Sequence, residues 1–117
     1  HFEVGLSCAR AALFNDAVCA AMDGPKVDVI TKAKTDLKEG DVLDGIGGYH
    51  TYGVAENSDE TRAANHLPMG LSHGCRLKRA VAMDELITFD DVELPRGRVC
   101  DELWREQNAM FFPTTKQ

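Results

Sequence analysis

The sequence predicts a mainly β fold, with short strands in two similar halves, a strand and helix ahead of them and a helix behind them. Three observations carry this expectation. First, sliding the chain on itself by 44 residues lays KTDLKEGDVL, from Lys34, against KRAVAMDELI, from Lys78. Each copy holds an apolar anchor (Leu37, Val81), a four-residue turn and an acidic residue followed by two apolar ones (Asp41-Val42-Leu43, Glu85-Leu86-Ile87). Only Lys34 and Lys78 are identical there, so two unrelated hairpins remain the alternative to a true repeat. Second, turn signals recur between short β-branched and apolar runs through the middle of the chain. Third, helical periodicity is confined to the two ends. A structural repeat would pack two half-units about a pseudo-two-fold axis, each covering apolar surface that the other leaves exposed.

Taken in order, residues 1–6 alternate Phe2, Val4 and Leu6 with Glu3 and Gly5, the pattern of a short strand. Ser7 then suits a helix cap, and Leu6, Ala9, Leu13 and Ala17 follow at helical spacing, widened by Phe14 and Val18. From residue 8 to residue 21 this helix is too apolar to stand free and is expected to pack on something. Asp23-Gly24-Pro25 is its predicted stop. Val27, Val29, Thr31 and Ala33 predict a half-buried strand, and GYHTYG at residues 48–53 a second. Residues 56–65 are polar and predict a short helix on a surface excursion. Pro68-Met69-Gly70 makes a turn, two strands follow around an acidic turn, and Pro95-Arg96-Gly97 makes another turn. The last helix, residues 99–111, is expected to bury a face of Val99, Leu103, Gln107 and Met110, with Trp104 and Phe111 flanking it and a frayed tail beyond.

With 117 residues and 44% hydrophobic content, the chain is one folded unit's worth, too short for a cofactor domain plus a substrate domain. A net charge of -6 argues against nucleic acid as a partner. No run of about 18 apolar residues and no signal-peptide pattern is present, so neither a membrane nor export is expected. Cys8, Cys19, Cys75 and Cys100 lack the spacing of a zinc or redox pair and are expected to be reduced structural thiols in the cytoplasm. The chain opens at His1 inside patterned sequence, from which a piece of something longer is expected.

The stretch running basic strand, apolar anchor, turn, acidic exit and Thr-x-Asp-Asp-Val over residues 78–92 resembles the SAF domain, a β-clip module. That module is shared by sialic acid synthases, type III antifreeze proteins, altronate dehydratases and flagellar P-ring chaperones. DLKEGDVLD at residues 36–44 looks like the same signature in its glycine-containing form, with Asp84 replacing the glycine in the second copy. EVGLSCARAALFNDA, DGIGGYHTYG, LPMGLSHGCRLKR and TFDDVELPRGRVCDELWREQ together resemble the C-terminal part of bacterial NAD(P)-dependent, homoserine-dehydrogenase-like oxidoreductases. These include the enzyme of isoprenoid-precursor synthesis that resembles deoxyxylulose phosphate reductoisomerase. The resemblance implies a SAF-like β-clip core at residues 25–97. Residues 1–24 would then be the end of the parent's catalytic domain, and residues 98–117 a closing helix and tail. It also implies partners in the rest of the parent chain, in a homo-oligomer and in a small hydroxylated or phosphorylated substrate. NAD(P) would bind in the parent and no cofactor in this stretch, where Gly45, Gly47 and Gly48 lack both the spacing of a dinucleotide fingerprint and a following helix.

Four residues stand out for chemistry. Arg76, Lys78 and Arg79 form the one basic run, and with the Pro68-Met69-Gly70 turn they offer an edge for a phosphate or carboxylate. Its alternative is a solvated strand face. His50, between Tyr49 and Tyr52 in a Gly-flanked loop, is the acid-base or substrate-contact candidate, set against an ordinary surface histidine. His73 beside Cys75 raises a thiolate nucleophile, but no third orienting group is in view. His1, His50, His66 and His73 lack metal-ligand spacing, so no metal is implied. Asp36, Asp41, Glu85, Asp90 and Asp91 fall at turn positions that acidic residues favour for backbone reasons. Two function classes follow. One is an oxidoreductase's C-terminal region with a structural, oligomer or substrate-lid role and no complete active site. The other is a free-standing SAF module binding carbohydrate or a protein partner; an ice-binding face is a remote third.

Overall fold

The computed structural model describes residues 2–20 and 23–113. Its elements in order are helix α1 (Val4–Phe14), strands β1 (Val27–Ala33) and β2 (Thr51–Asn57), helix α2 (Ser58–Ala63), strands β3 (Arg76–Leu77) and β4 (Val92–Glu93), and helix α3 (Val99–Phe111). Single 3-10 turns occupy Met69–Leu71 and Phe89–Asp91. β1 and β2 pair antiparallel, as do β3 and β4, in two separate two-stranded sheets. The architecture is mixed α/β, a correction to the mainly β expectation. Much of the predicted strand content is laid out as turns and isolated bridges, because the two halves bond residue by residue across the core.

That bonding follows the sequence echo. Leu37 N–H donates to the Val81 carbonyl at 2.8 Å and Val81 N–H returns to Leu37 at 3.0 Å. Outward from this reciprocal pair, Ala33 N–H to Glu85 O (3.0 Å) is matched by Leu77 N–H to Asp41 O (2.9 Å). Ile87 N–H to Thr31 O (3.0 Å) is matched in the same way by Leu43 N–H to Cys75 O (2.8 Å). Side-chain caps repeat too, Asp41 Oδ2 accepting from Lys38 N–H at 2.8 Å and Glu85 Oε2 from Ala82 N–H at 3.0 Å. Each member of these pairs lies 44 residues from its counterpart. The turn position is left-handed in both copies, φ +87° at Gly40 and +67° at Asp84. Asp tolerates that region better than most residues, which is why the second copy dispenses with glycine.

The core is built from the same correspondence. Ala33, Leu37 and Leu43 from one half meet Leu77, Val81 and Ile87 from the other, all buried, with Leu67, Leu71, Cys75 and Val92 completing the cluster. Each large aliphatic side chain so buried is worth roughly 1.5–3 kcal/mol relative to exposure.

Several local expectations need correction. Residues 4–6 are helical rather than a strand, since α1 starts at Val4 and among the described residues no neighbouring strand offers this segment a ladder; His1 lies outside the described residues. α1 ends at Phe14, well before Asp23, because Asn15 turns left-handed (φ 51°) and its N–H closes on Ala11 O at 3.1 Å. No α1 residue is buried, with Val4, Leu6, Leu13 and Phe14 all more than half exposed, so the expected packing partner is not among the described residues. β2 starts three residues later than the predicted GYHTYG strand, which begins at Gly48, and runs on through Asn57. α2 is more than an excursion, since Ser58 and Thr61 are buried against β1 and β2. On α3 only Asp101 is buried, with Trp104 and Gln107 partly buried, whereas Val99, Leu103 and Met110 of the expected face are 58–65% exposed. The tail beyond Pro113 lies outside the described residues.

Candidate functional site

The basic run sits where β3 passes the rim of the core: Leu77 points inward and is buried, while Arg76, Lys78 and Arg79 are exposed. Their partners separate them. Arg79 Nε donates to Asp91 Oδ1 at 2.5 Å and its Nη1 to Glu85 Oε1 at 2.8 Å, so two carboxylates offset its charge. Lys78 Nζ donates to the Asp90 carbonyl at 2.9 Å. Both residues thus face the 3-10 turn at Phe89–Asp91 and help to hold it.

Arg76 turns the other way, its Nη1 donating to Gly40 O at 2.7 Å. His50 Nδ1 lies 3.1 Å from Val42 O and His73 Nδ1 lies 3.1 Å from Asp44 O. A carbonyl oxygen only accepts, so both imidazoles carry a proton on Nδ1 and, when neutral, present the Nε2 lone pair. Three chemistry-bearing side chains are therefore hung on three carbonyls of one five-residue segment, residues 40–44. Of the predicted candidates, Arg76 and His50 bond carbonyls of this segment, as His73 does, while Lys78 and Arg79 bond elsewhere.

The loop under this group is set by Asp44, which was not among the sequence candidates. Its Oδ2 accepts from Tyr49 N–H at 2.5 Å and from His50 N–H at 3.2 Å. Partial burial works against the carboxylate, but these backbone N–H groups and the nearby His50 ring outweigh it and hold the carboxyl below its ordinary value. A Cβ on Gly48 would lie 2.2 Å from the Asp44 carboxyl carbon, so glycine is obligatory there. The signal was present in the sequence: an Asp directly before a Gly-x-Gly-Gly run is a side chain placed to bond the backbone of the turn that follows. Beyond the loop, a cavity of about 470 Å³ is bordered by Lys34, Ile46, Tyr52 and Met69.

This arrangement can hold an oxyanion by charge and by hydrogen bonds, and its imidazoles can exchange a proton at Nε2. It offers no nucleophile. Cys75 is fully buried with Sγ donating to Leu71 O at 3.1 Å, and burial pushes its thiol up despite the neighbouring Arg98. Cys8, Cys19 and Cys100 are free and exposed, so of the expected structural thiols only Cys75 has a place in the core. Among the described residues no group of three or more His, Cys, Asp or Glu is arranged to hold a metal, and no helix is long and apolar enough to cross a membrane.

Neither a protein-family model nor a curated protein matches the chain.

Proposed function

We propose that the chain is the SAF-like, β-clip region of an NAD(P)-dependent oxidoreductase of the homoserine-dehydrogenase-like kind. In this reading it closes or borders a substrate site built mainly elsewhere in the parent and supplies no complete active site itself. The observation that carries the reading is the exchange of hydrogen bonds between residues 44 apart, centred on Leu37 and Val81, which is the pairing two SAF half-signatures would make. The apolar, exposed α1 is a further support, since such a helix calls for a neighbouring body. Arg76 and His50 are the residues assigned to the substrate's phosphate, carboxylate or hydroxyl groups.

Two measurements test it. Titrated with NADPH, the 117-residue chain is expected not to bind, while the product of the complete reading frame binds; tight binding by the chain, or none by the complete product, overturns the reading. In the complete product, Arg76→Ala and His50→Ala are each expected to raise KM roughly tenfold, the loss of one charge-assisted hydrogen bond, with kcat little changed. An unchanged KM in both variants returns these residues to the solvated surface.

A further inference from the structure

The two edges of the β1–β2 ribbon differ. Its ladder bonds join even-numbered residues, with Lys34 N–H donating to His50 O at 2.8 Å beyond one end and Ser58 N–H to Lys26 O at 3.0 Å beyond the other. Odd-numbered residues therefore turn their N–H and C=O groups outward. On β1 that edge is occupied: Thr31 N–H donates to Leu67 O at 2.9 Å, Ala33 N–H to Glu85 O at 3.0 Å, and Thr31 O accepts from Ile87 N–H at 3.0 Å. On β2 the outward groups of Gly53 and Ala55 have no partner among the described residues, and the run Gly53-Val54-Ala55 is exposed.

Edge strands are normally guarded by a proline, a lysine or a bulge. β2 has none of these: TYGVAEN pairs with β1 through seven consecutive residues, and Glu56 is its one charge. A Cβ at Gly53 would collide with Val29 Cγ1, so the valine fills that space and the edge backbone stays bare.

This edge is complementary to itself. A two-fold axis through Val54 sets Gly53 against the partner's Ala55 and Ala55 against the partner's Gly53, so all four bare groups of each copy find a bond. Val54, 37% exposed, meets the partner's Val54 in a non-hydrogen-bonded pair, where side chains approach most closely. Charge fixes the same register. Glu56 falls beside the partner's Tyr52, whose neighbour on β1 is the partner's Lys32, about 10 Å away across two strand spacings and within reach of two long side chains. Lys32 has no ion-pair partner among the described residues. Asp28, the neighbour of Glu56 on β1, is already paired with Arg62, whose guanidinium carbon lies 4.5 Å from the centre of the Trp104 ring, so Glu56 is the carboxylate left for Lys32. An axis moved to Ala55 would instead bring the two Glu56 positions within about 7 Å along the strands.

We infer that β2 is the contact between two copies of this chain, which pair antiparallel along Gly53-Val54-Ala55 into a four-stranded sheet ordered β1, β2, the partner's β2, the partner's β1.

Sedimentation velocity of the 117-residue chain is expected to show a dimer whose share rises between about 5 and 500 µM, the range suited to a small interface. Val54→Lys sets two ammonium groups face to face on the axis and, with folding checked by circular dichroism, is expected to raise the dimer Kd at least about tenfold. It leaves α1 untouched, so association through that exposed helix would survive it. A chain that stays monomeric throughout, or a folded Val54→Lys that dimerises as tightly as the parent sequence, overturns the inference. Disulfide capture reads the register, in a background of Cys8→Ser, Cys19→Ser and Cys100→Ser that removes the exposed thiols. Across the axis the two Val54 Cα atoms lie about 4.5 Å apart, within disulfide reach, and the two Ala55 Cα atoms about 9 Å apart, beyond it. With glutathione disulfide as oxidant, Val54→Cys is expected to give a covalent dimer and Ala55→Cys none. Equal yields from the two, or no dimer from Val54→Cys, would contradict the pairing.

Discussion

Asp91 accepts Thr88 N–H at 2.9 Å, Thr88 O–H at 2.8 Å and Arg79 Nε at 2.5 Å on a carboxylate only 11% exposed. Burial works against its ionisation, but Arg79 and the two Thr88 donors outweigh it and hold the carboxyl below its ordinary value. With the folded value below the unfolded one, the resulting stability is present in full above the unfolded pKa of about 4 and is lost as pH falls through the folded value. Asp91→Asn is accordingly expected to cost about 1–3 kcal/mol at pH 7, and the variant should lose less further stability than the parent sequence as pH falls below about 4. Urea denaturation at the two pH extremes checks both; parallel losses on acidification would remove Asp91 from the account. The architectural role of this carboxylate was legible in the sequence, because Thr-x-x-Asp at a turn places an acceptor over its own backbone. Its partnership with Arg79 was not, since a run of three basic residues looks alike whether its members face solvent or a neighbouring carboxylate. For the same reason His73 stood in the sequence only as a neighbour of Cys75, and its bond to Asp44 O, two residues from the carbonyl that His50 meets, depends on the path of residues 40–44.

Among the elements, α3 was placed correctly in extent and wrongly in orientation. Heptad-like spacing picked out Val99, Leu103 and Met110, yet the side facing the core carries Asp101 and Trp104. Asp101 is held there by Arg98, at 2.6 and 2.8 Å, and Trp104 meets Phe89 with ring centres 6.4 Å apart. Periodicity ranks faces by hydrophobicity alone, and here an ion pair and a cation stacked on a ring outcompete the more apolar stripe. Trp104→Ala should therefore destabilise by about 3–5 kcal/mol, and Leu103→Ala by less than about 1 kcal/mol. Comparing thermal unfolding of the two tests the orientation, and a reversal of the order would contradict it. At the other end, Asn15 was the missed stop of α1, because a left-handed asparagine is a weaker signal than the Gly-Pro pair that drew attention further along.

Across the whole molecule, the 44-residue echo was the most informative feature of the sequence, although only Lys34 and Lys78 are identical in it. What survives between the copies is the order of anchor, turn and acidic exit, and backbone geometry depends on that order more than on residue identity. The share of strand was harder to foresee, since repeated short apolar runs look like strands even when they bond through isolated bridges. Those bridges also bear on how the chain reaches its native state. Residues 31–43 run against residues 75–87, so every bond of this ladder joins positions distant in sequence, with Leu43–Cys75 innermost and Thr31–Ile87 outermost. Closing the inner pair first encloses the shortest loop, and each outer pair then adds little further entropy cost. Refolding is expected in about milliseconds to seconds, with Leu43→Ala slowing folding and Ile87→Val mainly speeding unfolding, as stopped-flow fluorescence of Trp104 would report. During synthesis on the ribosome the first half emerges with its bonding partners not yet made, and the core cannot close until Ile87 has cleared the exit tunnel.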